Sequence, residues 1–458
     1  MSESFDIVVL GAGSGGYACA LRGTQLGLSV ALVEKSKIGG TCLHVGCVPT
    51  KALLHAAEVA DQTRDAGQFG VLASFQGIDM PTVHAYKDAV VSRLFKGLTG
   101  LVHGRGVTVV EGEGRLVAPD TVEVGDRRLQ GRHVVLASGS YSKSLPGLEP
   151  DGVRILTSEH ALSLGRVPES AVILGGGVIG VEFASIWRSF GADVTVVEAL
   201  PRLVPAEDEA VSKVVERAFR KRGIRAMTGV MFEKAVPGDH NVAVTLSDGT
   251  ELHADILLVA VGRGPVSEGL GYDEQGIAMD RGYVVTDERL RTNVPGVFAV
   301  GDLVPGLQLA HRGFMQGIFV AEEIAGLSPV PVPDSGIPRV TYSDPEIASV
   351  GLSEEAARAE FGDDAVETTT YDLGGNGKSQ ILKTQGFVKL VRRTAGPIVG
   401  VHMVGARVGE LIGEAQLIVN WEAFPEDVAP LIHAHPTQNE ALGEAHLALA
   451  GKPLHAHS

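Results

Sequence analysis

Cys42 and Cys47 are two of only three cysteines in 458 residues, with four residues between them. They lie in Gly39-Gly40-Thr41-Cys42-Leu43-His44-Val45-Gly46-Cys47-Val48-Pro49-Thr50-Lys51. Two thiols this close serve as a redox pair, as part of a metal site, or as unrelated side chains. A structural disulfide belongs to exported proteins, because cytosolic thiols are kept reduced. The chain opens polar and acidic at Ser2 and Glu3, so no secretory leader is expected. Zinc usually takes a second Cys or His pair. Cys19 sits alone in its own helix, so no metal site is expected. A thiol pair beside a βαβ start reads as redox-active.

Geometry sets a condition on that reading. Positions five apart on a regular helix have Cα atoms roughly 8–9 Å apart, whereas a disulfide needs them within about 7 Å. If Cys42 and Cys47 bond, the segment must be irregular. Gly46 and Gly39-Gly40 give the backbone that freedom. A disulfide bent to fit is easier to reduce.

The elements that position the pair are legible on either side. Phe5–Leu10 is a short apolar run, read as a buried parallel strand. It enters Gly11-Ala12-Gly13-Ser14-Gly15-Gly16, a helix from Tyr17 to Leu26, and a strand from Leu28 that ends on Glu34. In this context the glycines form a dinucleotide site. Gly11 allows the tight turn, Gly13 lets backbone approach a pyrophosphate, and Gly16 lets helix and strand pack closely. Glu34 would accept hydrogen bonds from ribose hydroxyls. The pattern recurs: a strand over 171–174, Gly175-Gly176-Gly177-Val178-Ile179-Gly180, a helix from Val181 to Phe190, and a strand ending on Glu198. Two fingerprints in register predict two dinucleotide-binding units.

Between them a helix is expected over 51–64, largely helical chain over 65–100, a β-meander over 107–131 and a strand over 133–137. A strand over 255–261 ends in Gly262-Arg263-Gly264. The apolar run to Gly301-Asp302 ends on a carboxylate, where ligands bind in open α/β sheets. Pro331 to Pro338 reads as a linker. Beyond it antiparallel strands near 387–391 and 398–404, with helices over 410–420 and 441–450, make a separate domain. The expected division is 1–146, 147–270, 271–335 and 336–458.

A net charge of −16 would repel nucleic acid overall. No run of 18 apolar residues offers a membrane span. A cytoplasmic protein is expected. His446, His455 and His457 near the end read as frayed surface.

The cysteine segment, the two fingerprints, the Gly-Asp strand and His433-Ala434-His435-Pro436-Thr437-Gln438-Asn439-Glu440 together resemble the pyridine nucleotide-disulfide oxidoreductases, over essentially the whole chain. Within that family the chain is most similar to the branch that oxidises dihydrolipoamide. The resemblance implies an α/β fold of two Rossmann-like domains, for FAD and NAD, with a C-terminal α+β dimerisation domain. Gly11, Gly13, Gly16 and Glu34 would hold the ADP part of FAD. Thr41, Lys51 and Gly114, then Ser138 and Gly139, then Asp302, Ala310 and His311, match flavin-contacting positions. Gly175, Gly177, Gly180, Glu198, Val230 and Gly262 match NAD-contacting ones. Lys51 and Glu182 match an ion pair near the flavin ring. His435 and Glu440 match the acid–base pair, which the family places across a homodimer interface.

The implied reaction oxidises protein-bound dihydrolipoamide to lipoamide and reduces NAD+. Cys42 would face substrate and Cys47 the flavin. Partners would be the lipoyl domains and core of a 2-oxo acid dehydrogenase or glycine cleavage complex. The alternative is an NAD(P)H-dependent reductase of a small disulfide, of the glutathione or mycothione type. Glu198 favours NAD, since NADP use wants a nearby Arg and only Arg202 is close. A scaffold without catalysis is a further alternative, which dithiol-dependent NADH formation would separate. The sequence departs from the family at His44, a titratable group between the cysteines that could shift thiolate stability. It departs also at Gln308, where Met is frequent, and at Gln438-Asn439.

Overall fold

Strand β1 (Ser2–Leu10) buries Ile7, Val8, Val9 and Leu10 on both faces, as a strand covered by helices must. It pairs in parallel with β2 (Val30–Glu34), Ile7 opposite Val30. Helix α1 (Ser14–Gln25) makes the crossover. Then come α2 (Gly40–His44), α3 (Cys47–Asp65) and α4 (Met80–Gly104). β3 (Thr108–Glu111) joins the parallel edge, and β4 (Gly114–Ala118), β5 (Thr121–Val124) and β6 (Arg127–Leu136) form the meander. The sheet order is β3-β2-β1-β6-β5-β4, and strand Val297–Ala299 adds itself in parallel to β6. The chain thus leaves the first sheet, builds a second unit, and returns. Buried residues from Leu270 to Ala321 join the two cores that flank the first sheet. The computed structural model describes residues 2–331 and 333–455. Val332 of the expected linker and His457 of the tail lie outside them.

The inserted unit is a five-stranded parallel sheet built from Ile155–Leu156, Ser170–Leu174, Asp193–Glu198, Arg225–Thr228 and Ile256–Val259. Beyond residue 336 an antiparallel five-stranded sheet packs against helices Val408–Asn420 and Glu440–Leu449. The fold is therefore α/β with two Rossmann-like units and a C-terminal α+β domain. No helix among the described residues is long and apolar enough to cross a membrane.

Three expectations are corrected. The helix expected from Lys51 begins at Cys47 and carries Pro49 in its first turn, where a missing N–H costs nothing. Residues 70–79 hold no regular structure, and the next long helix starts only at Met80, capped by Asp79. His446 is not surface: it is fully buried inside the last helix, its Nδ1 2.6 Å from the Leu442 carbonyl. His455 is exposed and lies 2.8 Å from Glu444.

Candidate functional site

The two glycine loops are near-copies. Gly11 and Gly175 take φ of 106° and 104°, which only glycine holds without strain. A Cβ on Gly16 would stand 1.8 Å from the Gly11 carbonyl, and one on Gly180 1.9 Å from that of Gly175. A Cβ on Gly13 or Gly177 would meet nothing within 4 Å. Those two glycines border open space on a shared cavity of about 710 Å³, within the roughly 300–1,000 Å³ of small-molecule sites. Each terminal acid braces its own loop. Glu34 accepts from the Ala12 N–H at 2.8 Å, and Glu198 from the Gly176 N–H at 2.7 Å.

Cys42 and Cys47 line this cavity. α2 stops at His44, and Gly46, at φ −143° and ψ −110°, breaks the helical path before Cys47 starts α3. The break is the irregularity the spacing demands, and it sets the two free thiols close enough for each to shift the other. The pair is electrically unequal. Donation to Cys47, reinforced by burial, pushes the Cys42 thiol far up. Acceptance of that bond, helped by the Lys51 ammonium, outweighs burial and brings Cys47 down to about 7. His44, between the two cysteines, has its Nε2 2.9 Å from the Ile38 carbonyl and packs its ring edge-on against Phe95.

Lys51, one turn along α3, donates to both Glu182 oxygens at 2.9 Å. Burial alone would lower the Lys51 ammonium, but Glu182 outweighs it and the net direction is up. Glu182 sits on helix Val178–Phe190 of the second unit and also accepts the Tyr342 N–H at 3.0 Å. The Tyr342 ring lies 4.9 Å from the Lys51 nitrogen, a cation–π contact. Three regions of the chain therefore fix one ion pair beside the cysteines.

The other expected residues divide. Thr41, Gly139, Asp302 and Ala310 line the cavity on the first unit's side, and Val230 and Gly262 on the second's. Glu34, Gly114, Ser138 and His311 do not. Gly114 is packed under Leu10 and Val33. Ser138 donates to the Val266 carbonyl and accepts from Tyr272. His311 Nε2 lies 2.7 Å from the Pro338 carbonyl. Arg202 donates to the Pro205 carbonyl and reaches Glu355 at 3.5 Å.

Sequence reasoning missed Tyr342, for which no local signal exists. It also passed over Ser140, three residues beyond the strand over 133–137, and Arg263, in the strand-end cluster Gly262-Arg263-Gly264. Arg263 donates to Ser140 Oγ at 2.8 Å, and Ser140 donates to Asp302 at 2.5 Å.

His435 Nδ1 lies 2.7 Å from Glu440, whose second oxygen accepts the Thr437 N–H. Burial would raise the Glu440 carboxyl, but those two partners hold it below the usual range. His435 does not reach the cavity of its own chain, and its side chain is 76% exposed. Among the described residues no group of three or more His, Cys, Asp or Glu is arranged to hold a metal ion.

A family model described as pyridine nucleotide-disulphide oxidoreductase matches residues 5–317, and the dimerisation-domain model of that family matches residues 337–446. A dihydrolipoyl dehydrogenase of Bacillus subtilis is 40% identical, over 99% of this chain and all of that protein. One from Chlorobaculum parvum is 39% identical over 97% of each. Among solved structures, LpdA from Mycobacterium tuberculosis superposes with a TM-score of 0.90 at 28% identity, covering 97% of this chain and 99% of that one.

Proposed function

The chain belongs to the pyridine nucleotide-disulphide oxidoreductases, and from that premise we propose that it oxidises dihydrolipoamide to lipoamide while reducing NAD+ to NADH. The observation that carries this reading is the Cys42–Cys47 pair at the break between α2 and α3, set beside the Lys51–Glu182 ion pair on a cavity that both glycine loops border. The names of its full-length relatives support the substrate.

The cavity fits FAD on the first unit's side and NAD on the second's. Gly13 and Gly177 leave room for pyrophosphates, and Glu198 lines the cavity at its strand end for ribose hydroxyls, while Glu34, off the cavity, braces its loop. FAD, when bound, supplies a two-electron carrier between the cysteines and NAD+. The residues do the rest. In the oxidised pair a substrate thiolate attacks Cys42 Sγ; the S–S bond breaks and its electron pair goes to Cys47. Lys51 favours that negative charge, and the lowered Cys47 thiol is the group able to hold it near neutral pH. The second substrate thiolate attacks the mixed disulfide, releases lipoamide and leaves Cys42 as thiolate. Of the two protons that leave the substrate, His435, held through Nδ1 by Glu440, takes one on its other nitrogen, and the other goes to the Cys42 thiolate and restores its thiol. Because His435 stands off its own chain's cavity, the base comes from the partner subunit of a dimer. The match of residues 337–446 to the family's dimerisation-domain model supports a dimer. Lipoyl groups carried by a 2-oxo acid dehydrogenase or glycine cleavage complex are the proposed partners. The Glu198 carboxylate, which lines the cavity at its strand end, supports NAD, since it would repel a 2′-phosphate.

Steady-state assays with dihydrolipoamide and NAD+, against oxidised small thiols and NADPH, test the reading. NADH should form, Cys47→Ser should abolish it, and His435→Gln should slow it by about 10²–10⁴-fold. Faster NADPH-driven disulfide reduction would overturn the substrate assignment.

A further inference from the structure

Val204 has a φ of 43° and is the only β-branched residue among the described ones to take a positive φ. A β-branched side chain is strained there, and such a conformation lasts only where its surroundings over-determine it. Those surroundings lie on both sides. Upstream, the Val204 N–H donates to the Gly176 carbonyl at 2.8 Å. Glu198 holds the Gly176 N–H, so both polar groups of that residue are fixed, one step before Gly177 and its open space. Downstream, the Glu207 N–H donates to the Val204 carbonyl at 2.9 Å. Glu207 and Asp208 are buried, and the C-terminal sheet meets them with a polar row. Arg339, Ser349, His402 and Lys389 stand opposite one another on four adjacent strands. Lys389 donates to both Asp208 oxygens. Ser349, fully buried, donates to Glu207 at 2.6 Å and accepts from Arg339.

We propose that Ser349, in the C-terminal domain and off the cavity, is a positioning residue for NAD+: through Glu207 it holds the strained Val204, and Val204 holds the second glycine loop. This rests on the NAD reading above. Lys389 anchors Asp208, so the far end of the stretch is fixed and Ser349 sets Glu207 within it. Without the Ser349 hydroxyl the buried Glu207 carboxylate keeps Arg339 at 3.5 Å, and a buried charge short of partners shifts to find them. The turn it closes on Val204 then opens. Val204 relaxes to negative φ, and its N–H leaves Gly176. Pro205, inside the held stretch, lines the cavity and moves with it. NAD+ must then order the loop as it binds, which costs affinity. The cysteines and the first glycine loop belong to the other unit, so the dithiol half-reaction is spared.

The test uses purified holoenzyme. Ser349→Ala cuts the link from the C-terminal side, and Glu207→Ala cuts it from the NAD side without leaving a buried charge. Val204→Gly frees the left-handed turn of its strain, so the loop keeps its shape without the link. The two half-reactions are read separately, as kcat/KM for NAD+ and kcat/KM for dihydrolipoamide. In Ser349→Ala and Glu207→Ala the NAD+ value should fall about threefold to tenfold. The dihydrolipoamide value and the FAD content should stay within about twofold of wild type. Added to Val204→Gly, Ser349→Ala should lower the NAD+ value by less than about twofold. Equal falls for both substrates mark general loosening and overturn the proposal, as do unchanged NAD+ values. So does an undiminished effect of Ser349→Ala in the Val204→Gly background, which would leave the strained turn no part. Wild-type enzyme that forms no NADH from dihydrolipoamide and NAD+ overturns the functional reading itself, and that outcome is visible before any variant is made.

Discussion

The two glycine loops match at their three motif glycines, yet the helices that follow them spend their faces differently. In the first unit α1 lies against helix Ala310–Ile324 at van der Waals range. A Cβ on Gly317 would stand 2.2 Å from the Gly15 carbonyl, so the small residues of that seam seal the unit against its own returning chain. In the second unit the corresponding helix reaches out through polar groups. Glu182 takes Lys51 and the Tyr342 N–H, Ser185 accepts the Asp344 N–H, and Ser189 donates to Asp61. Farther along, Asp208 accepts from Lys389 and Glu207 from Ser349. One motif thus builds a closed unit and a clasped one. The loop sets how a nucleotide is held; the helix face sets what the unit is joined to.

The largest effect should come from breaking the clasp. Lys389 and Asp208 are both buried, and Lys389→Met leaves the carboxylate without its cation. Breaking such a pair costs about 3–5 kcal/mol. The loss has a pH signature. Burial alone would raise the Asp208 carboxyl, but Lys389 and the Glu354 N–H outweigh it and hold it below the usual range. A carboxylate lowered on folding stabilises above its ordinary value of about 3.9 and loses that contribution as pH falls through the folded value. In the variant the orphaned carboxyl rises. The gap in melting temperature between wild type and variant should therefore be widest near pH 7 and narrow towards pH 4.5. A gap that stays constant with pH would mean the pair does not clasp the unit electrostatically.

Next in size is a pair of substitutions that treats the loops alike and should separate them by function. Gly13→Val and Gly177→Val both project into open space, so the fold is spared and only a bound pyrophosphate is displaced. Forcing methyl groups into filled space costs roughly 1–3 kcal/mol, about a tenfold to hundredfold loss of affinity. Gly13→Val should lose FAD. Gly177→Val should keep FAD and its spectrum while the KM for NAD+ rises. If both variants lose the same cofactor, the assignment of one loop to each nucleotide is wrong.

Much of this contrast was legible before the structure. The loops, Glu34, Glu198 and the cysteine segment are local patterns, in which a few neighbouring residues determine the backbone. What was not legible depended on packing between distant parts of the chain. The helix expected from residue 51 starts at Cys47, with Pro49 in its first turn. His44 stands between the cysteines in sequence, but its ring turns to Ile38 and Phe95. His446 looks like tail, and the last helix lays it in the C-terminal core. Tyr342, which fixes Glu182, lies 160 residues from it with no pattern to connect them. His435 is recognisable by its segment, while its absence from its own chain's cavity is a fact of tertiary structure alone.

The smallest expected effect sits where the two units meet. Lys51 belongs to the cysteine helix of the first, Glu182 to the outward helix of the second. Lys51→Met removes the cation that helps bring Cys47 down and leaves the larger cause, the hydrogen bond from Cys42, in place. The Cys47 thiol should then rise from about 7 by about one pH unit, or about 1.4 kcal/mol. The sign follows directly, since a neighbouring positive charge favours the thiolate and its loss favours the thiol. Alkylation of the reduced enzyme, followed from pH 5 to 9, should show its midpoint move upward. The same titration on Glu182→Gln gives the reciprocal view. Glu182 by itself opposes the thiolate, so any upward movement there would have to arise through a less firmly protonated Lys51. An unmoved midpoint in Lys51→Met would show that the Cys42 bond alone sets the thiolate. The ion pair would then join the two units without governing the chemistry between them.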